Sequence, residues 1–176
     1  MSDSLWTTVL QTVASEFSDV PDLPEALRIL LRLSLALLLG LLLGYERESQ
    51  GKSAGVRTHM LVALGSALFV LLPSQMGMEI SDLSRMMQGV VTGIGFLCAG
   101  TILKYETAGE EHVHGLTTAA GLWLTAAIGM ACGLGREVTA LITAALALAV
   151  FALIPRVVNP AAAAPSEAEV PPRHDD

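Results

Sequence analysis

Residues 115–135 read GLTTAAGLWLTAAIGMACGLG, a run without any Asp, Glu, Lys or Arg. As a helix it is long enough to cross a hydrocarbon core about 30 Å thick. Three more runs obey the same rule: Thr58 to Met78, Met86 to Leu103 and Val138 to Pro155, each bounded by a charge cluster, a proline or glycines. A fifth, Ile29 to Tyr45, is leucine-rich and interrupted by Arg32, one turn after Arg28; both long side chains are expected to snorkel toward the N-terminal interface. The sequence therefore predicts an all-α, polytopic membrane protein with about five transmembrane helices.

Composition supports this reading. The chain has 176 residues, 52% hydrophobic and 15% charged, with a mean hydropathy of +0.58, more apolar material than a soluble domain of this size can bury. The net charge of -7 provides no basic footprint and excludes nucleic acid as a partner, leaving the lipid bilayer as the first one. Cys98 and Cys132 each sit inside an apolar run, as buried thiols do, and not as members of a disulfide framework.

Three segments follow. Residues 1–26 lack the basic and apolar regions of a signal peptide. Leu5, Trp6, Val9, Leu10, Val13, Ala14 and Phe17 recur there at helical spacing, predicting an interfacial amphipathic helix that Pro21 and Pro24 end. Residues 27–158 form the transmembrane domain. Residues 159–176, rich in Pro, Ala and acids, read as a disordered cytoplasmic tail, with no second domain expected. Lys and Arg in the short loops favour an outer N-terminus and a cytoplasmic C-terminus, since Arg47, Lys52, Arg57, Lys104, Arg156 and Arg173 then face the cytoplasm.

The runs differ in kind. The first is mostly Leu and the fifth mostly Ala, Leu and Val, whereas the third and fourth are loaded with Gly and Thr. Gly89, Thr92, Gly93, Phe96 and Gly100 share a face of the third; Thr118, Gly121, Thr125, Gly129 and Cys132 share a stripe of the fourth. These two helices are expected to form the interior. Either their small residues let backbones approach closely in lipid, or Gln88, Thr92, Thr117 and Thr118 line a polar pathway whose oxygens replace part of an ion's hydration shell. The G-x-x-x-G pairs Gly40/Gly44, Gly89/Gly93 and Gly129/Gly133 serve both readings.

The densest charge cluster follows the first run: Glu46, Arg47, Glu48, Lys52, Arg57 and Thr58. Gly51-Lys52-Ser53 is no P-loop, because that motif requires glycine where Glu46 stands and a preceding strand. Glu46 and Glu48 are two residues apart and point to different faces of a helix, so they could share Mg²⁺ only if the chain unwinds there. Glu48 precedes Lys52 by four, the favourable order for a helical ion pair. A second cluster, Glu106, Glu110, Glu111, His112 and His114, is expected to be a solvated loop, with a metal site there the less favoured reading. Ser66 and His59 lack the nucleophile elbow of a protease. No catalytic residue, enzyme activity or cofactor is expected; Mg²⁺ is the one ion these carboxylates invite.

Taken in order, the motifs are more specific than any one of them. Gly40-x-x-x-Gly44-x-Glu46-Arg47-Glu48, Lys52-x-Ala54-Gly55-Val56-Arg57-Thr58-His59-Met60-Leu61-Val62, Arg85-x-x-Gln88 leading into Gly93-Ile94-Gly95-Phe96-Leu97-Cys98-Ala99-Gly100, and His114-Gly115-Leu116-Thr117-Thr118-Ala119-Ala120-Gly121-Leu122-Trp123 resemble the MgtC/SapB family of bacterial membrane proteins over residues 28–155. The resemblance implies a multi-pass protein of the bacterial inner membrane, connected with Mg²⁺ homeostasis, adaptation to low Mg²⁺ and other stress, and virulence-type survival inside host cells. It further implies either Mg²⁺ transport or regulation of other membrane machinery such as the F-type ATP synthase. The family usually has glycine where Cys98 stands, so its bulk is expected to loosen a close helix contact. The match covers the transmembrane region only, without the ACT-like C-terminal domain of many members.

The leading expectation is a non-enzymatic regulator working through contacts with itself, as a homo-oligomer, or with a partner. The alternative is a Mg²⁺ or other cation transporter or channel built from the third and fourth helices, although no Asp or Glu lies in the middle of any span. The candidate residues are the loop set Glu46, Arg47, Glu48, Lys52, Arg57 and Thr58, and the intramembrane set Arg85, Gln88, Gly89, Thr92, Gly93, Gly95, Gly100, Gly115, Thr117 and Thr118.

Overall fold

The computed structural model describes residues 2–16, 22–107 and 110–158. Its elements are α1 (Ser2–Glu16), α2 (Leu23–Ser49), α3 (Val56–Gln75), α4 (Ile80–Ala99), a hairpin of β1 (Leu103–Thr107) and β2 (Glu110–His114), α5 (Leu116–Gly133) and α6 (Glu137–Val158). The expected tail, 159–176, lies outside the described residues, as do Phe17 and Pro21.

Among the described residues four helices are long and apolar enough to cross a bilayer: α2, α3, α5 and residues Glu137–Ile154 of α6. The expected third run is also a helix of 20 residues. It starts earlier than expected, so Asp82, Arg85 and Gln88 occupy its first turns and dilute its apolarity. It nevertheless folds back beside α3 after the short connection 76–79, and the two helices line one groove. Helix α1 forms where the apolar spacing predicted it, with Leu5, Trp6 and Leu10 all exposed on its surface.

Helix α3 is the spine. At the tightest contacts glycine lets α2 and α5 lie directly on its backbone. A Cβ at Gly40 would stand 2.7 Å from the His59 carbonyl oxygen, and one at Gly44 would stand 2.6 Å from Cα of Val56; at Gly129 and Gly133 it would strike the carbonyl oxygens of Ala63 and Ala67. These contacts make α2 antiparallel and α5 parallel to α3. Helix α6 completes the core with Ala140, Ala144, Ala147 and Phe151 at helical spacing, packed with Ala36, Leu39, Leu43, Ala63, Ala67, Ile128 and Cys132. Outward, Leu31, Leu38, Leu42, Ile142, Leu146 and Val150 are exposed, which is the arrangement of side chains that meet lipid tails.

The interior is therefore α3 and α5, not α4 and α5. The α5 stripe of Thr118, Gly121, Thr125, Gly129 and Cys132 is buried as a set, whereas Cys98 is the buried residue of α4. Arg32 also departs from expectation. It turns inward, donates to the Gly133 carbonyl oxygen at 3.3 Å and approaches Glu137 at 3.8 Å, placing a cation at the negative C-terminal end of α5.

Between α4 and α5 the segment expected as a loop is an antiparallel hairpin, in register from Leu103↔His114 to Thr107↔Glu110. It closes on Gly115, whose φ of +91° and contact with the Thr101 carbonyl oxygen leave no room for a side chain.

Candidate functional site

At one end of the bundle the last turn of α2, the first turn of α3, the start of α5 and the end of α6 meet. The turn between α2 and α3 is built by Gly51 at φ +65° and by Glu48, whose Oε2 accepts from the Val56 backbone N–H at 2.8 Å. That bond satisfies one of the free N–H groups opening α3, where Gly55 has no side chain to cap them. The expected Glu48–Lys52 helical pair does not form, because α2 ends at Ser49 and the Glu48 carboxylate is engaged with Val56.

Behind this turn lies a buried polar group. Arg47 is 2% exposed; its Nε donates to Glu46 Oε2 at 2.6 Å, and its guanidinium carbon stands 4.1 Å from the centroid of the Phe151 ring. A desolvated cation over an aromatic face is stabilised by about 2 kcal/mol, so α2 is tied to α6 through this contact. His59, fully buried, holds its Nδ1 3.0 Å from the Gly55 carbonyl oxygen, and Gly121 of α5 lies against both the ring's Nε2 and Phe151. Glu46 and Glu48 thus diverge, as their spacing on a continuing helix requires; one serves Arg47 and the other α3.

A second cluster braces the same end. Ala54 from the turn packs with Cys98, Ala119 and Leu122. The Cys98 thiol donates to the Ala119 carbonyl oxygen at 3.1 Å, a bond between α4 and α5 that glycine could not make.

The remaining candidates are dispersed. Arg57 is exposed, as are Lys52, Thr117, Gln88, Gly89, Thr92, Gly93, Gly95 and Gly100, while Thr58 and Gly115 are half-buried and Thr118 is buried. The Thr92 hydroxyl donates to the Gln88 carbonyl oxygen at 2.9 Å, and that of Thr125 to Gly121 at 2.8 Å, so both bond back to their own helix. Arg85 lies 3.8 Å from Asp82. It stands with Met86, Gly89, Gly93 and Leu97 beside a groove of about 510 Å³ between α4 and α3, and a Cβ at Gly89, Gly93 or Gly95 would meet nothing within 4 Å. Among the described residues no group of three or more His, Cys, Asp or Glu is placed to hold a metal.

His59 and Phe151 were absent from the candidate set. Each had a signal: His59 is an ionisable residue inside a charge-free run, and Phe151 is the one aromatic on the alanine stripe of α6.

This arrangement belongs to a chain with clear relatives. Protein SrpB of Synechococcus elongatus is 44% identical over 118 residues, covering 62% of this chain and 65% of its own. The protein of Escherichia coli K12 named "Putative magnesium transporter YhiD" is 41% identical over 113 residues, 60% of this chain and 51% of its own. Protein MgtC of Brucella abortus is 42% identical over 111 residues, 63% and 44% respectively. The chain thus spans about half the length of the curated relatives it matches. No solved structure matches it. The MgtC family model matches residues 33–159, a span that includes the Glu46–Arg47–His59–Phe151 junction, and the chain is a multi-pass membrane protein of the MgtC family.

Proposed function

We propose that this chain is a non-enzymatic protein of the bacterial inner membrane, with its N-terminus outside and its C-terminus in the cytoplasm, that serves Mg²⁺ homeostasis and adaptation to low Mg²⁺ and stress by regulating other membrane machinery. The observation behind this reading is the contrast between the two sides of α3. Toward α2 and α5 the helices meet backbone to backbone at Gly40, Gly44, Gly129 and Gly133, which fills the seams an ion would have to follow. Toward α4 the Gly89/Gly93 face stays open, a surface on which a second copy or another membrane protein can pack. The F-type ATP synthase is the partner that the family resemblance suggests.

Transport is the competing reading, favoured by the printed name of the Escherichia coli relative. Mg²⁺ uptake into proteoliposomes holding the purified, folded chain separates the two. Uptake equal to that of empty vesicles is the expected result. Saturable uptake, lost in Thr118→Leu at equal folded content, would overturn the regulatory reading and make α5 part of an ion pathway.

A further inference from the structure

Among the described residues nothing fills the groove between α3 and α4: a Cβ at Gly65, Gly89 or Gly93, all of which line it, would meet no atom within 4 Å. Arg85, Gly89, Gly93 and Leu97 line it at four-residue spacing, as one stripe of α4. From Arg85 to Leu97 the helix rises about 18 Å, close to the depth of one leaflet, which is about 15 Å or half the hydrocarbon core. Apart from Arg85 and the buried Ser66, the lining is Gly, Leu, Val, Ile, Met and Phe, so the recess suits hydrocarbon and not water. Its volume of about 510 Å³ suits a single extended chain of that length. A helix, about 10–12 Å across with its side chains, would lie over the recess without filling it.

One end of the groove is charged. Asp82 and Arg85 share a face of α4 and approach to 3.8 Å, with side chains 52% and 81% exposed, too far apart for a hydrogen bond between them. The exposed Glu79, just before the helix, adds a second carboxylate. A guanidinium fork matches the oxygens of a phosphate. Two carboxylates beside it disfavour a ligand that is only negative and call for one that brings its own cation. We propose that the recess between α3 and α4 binds one ethanolamine phospholipid, with an acyl chain along Gly89 and Gly93, the phosphate on Arg85 and the ammonium on Asp82. The apolar stripe places the chain and the charge pair selects the headgroup. Choline has no N–H to donate to Asp82, and a glycerol headgroup leaves the lipid a net anion facing Glu79 and Asp82. This site stands apart from the regulatory reading, since it is measured as lipid held and not as Mg²⁺ moved.

The test is native mass spectrometry of the full chain in detergent, offered equal amounts of phosphatidylethanolamine, phosphatidylcholine and phosphatidylglycerol with matched acyl chains. One phosphatidylethanolamine per chain is expected, held in preference to the other two. Arg85→Gln, which removes the phosphate contact, and Gly93→Leu, which fills the recess, are each expected to lower its occupancy about tenfold, the equivalent of one charge-assisted contact, with the helical signal unchanged. Asp82→Ala is expected to hold phosphatidylethanolamine and phosphatidylcholine alike. A wild-type chain that retains the three lipids equally, or none, would overturn the proposal without recourse to any variant. Undiminished retention in folded Gly93→Leu would remove the lipid from this recess, and lipid-free dimers that Gly93→Leu separates would give the face to a second copy instead.

Discussion

Adding one methyl group at Gly133 would drive it into the Ala67 carbonyl oxygen and a Val70 methyl, whereas at Gly89 it would meet nothing within 4 Å. The same substitution therefore has opposite consequences on α5 and α4. Gly133→Ala forces α5 away from α3 and is expected to cost about 1–3 kcal/mol. Gly89→Ala relieves the entropic penalty of helical glycine and is expected to stabilise by about 0.5–1 kcal/mol. Thermal unfolding in detergent, followed by helical signal, checks both; a Gly133→Ala chain that melts with the wild type would show that this seam is looser than drawn. Sequence spacing put both glycines in G-x-x-x-G pairs and could not separate them, because the motif describes one helix and says nothing of what lies opposite.

At the scale of the element, the turn between α2 and α3 depends on Glu48. Its carboxylate reaches forward eight residues to the Val56 N–H, replacing the side-chain cap that Gly55 cannot provide. Glu48→Ala leaves that N–H without its partner and is expected to lower stability by about 1 kcal/mol. Lys52→Ala, on the exposed turn, is expected to leave stability within about 0.5 kcal/mol of wild type. Equal losses in a denaturant titration would revive the helical ion pair that the sequence suggested. The boundaries of α3, α5 and α6 fell within a few residues of the charge-free runs, while α2 extended well past its run at both ends. Charge marks where lipid stops, not where backbone hydrogen bonding stops, and the α2 helix continues through Glu46 and Arg47 because these residues find partners.

For the whole molecule, the alternation of helices places Ser53 and Met78 at opposite ends of α3, a helix of 20 residues that spans about 30 Å. With the orientation proposed above, an impermeant maleimide applied to intact cells should label Met78→Cys and spare Ser53→Cys until the membrane is opened. Native Cys98 and Cys132, both buried, should stay silent throughout. The reverse pattern would invert the orientation, and labelling of both sites in intact cells would contradict the layered arrangement itself.

What the sequence determined by itself is the solvent: charge-free runs of sufficient length set the class, the approximate helix boundaries and the buried stripe of α5. Only the tertiary structure decided which helices lie inside, that Arg32 turns inward to the end of α5, that Cys98 joins α4 to α5, and that His59 and Phe151 meet beside Arg47. The physical reason is that lipid tails are as apolar as leucine, so hydropathy contrasts chain with water but not core with lipid. Inside and outside are then separated by shape and by hydrogen-bond satisfaction between residues far apart in the chain, and neither is written in any single run.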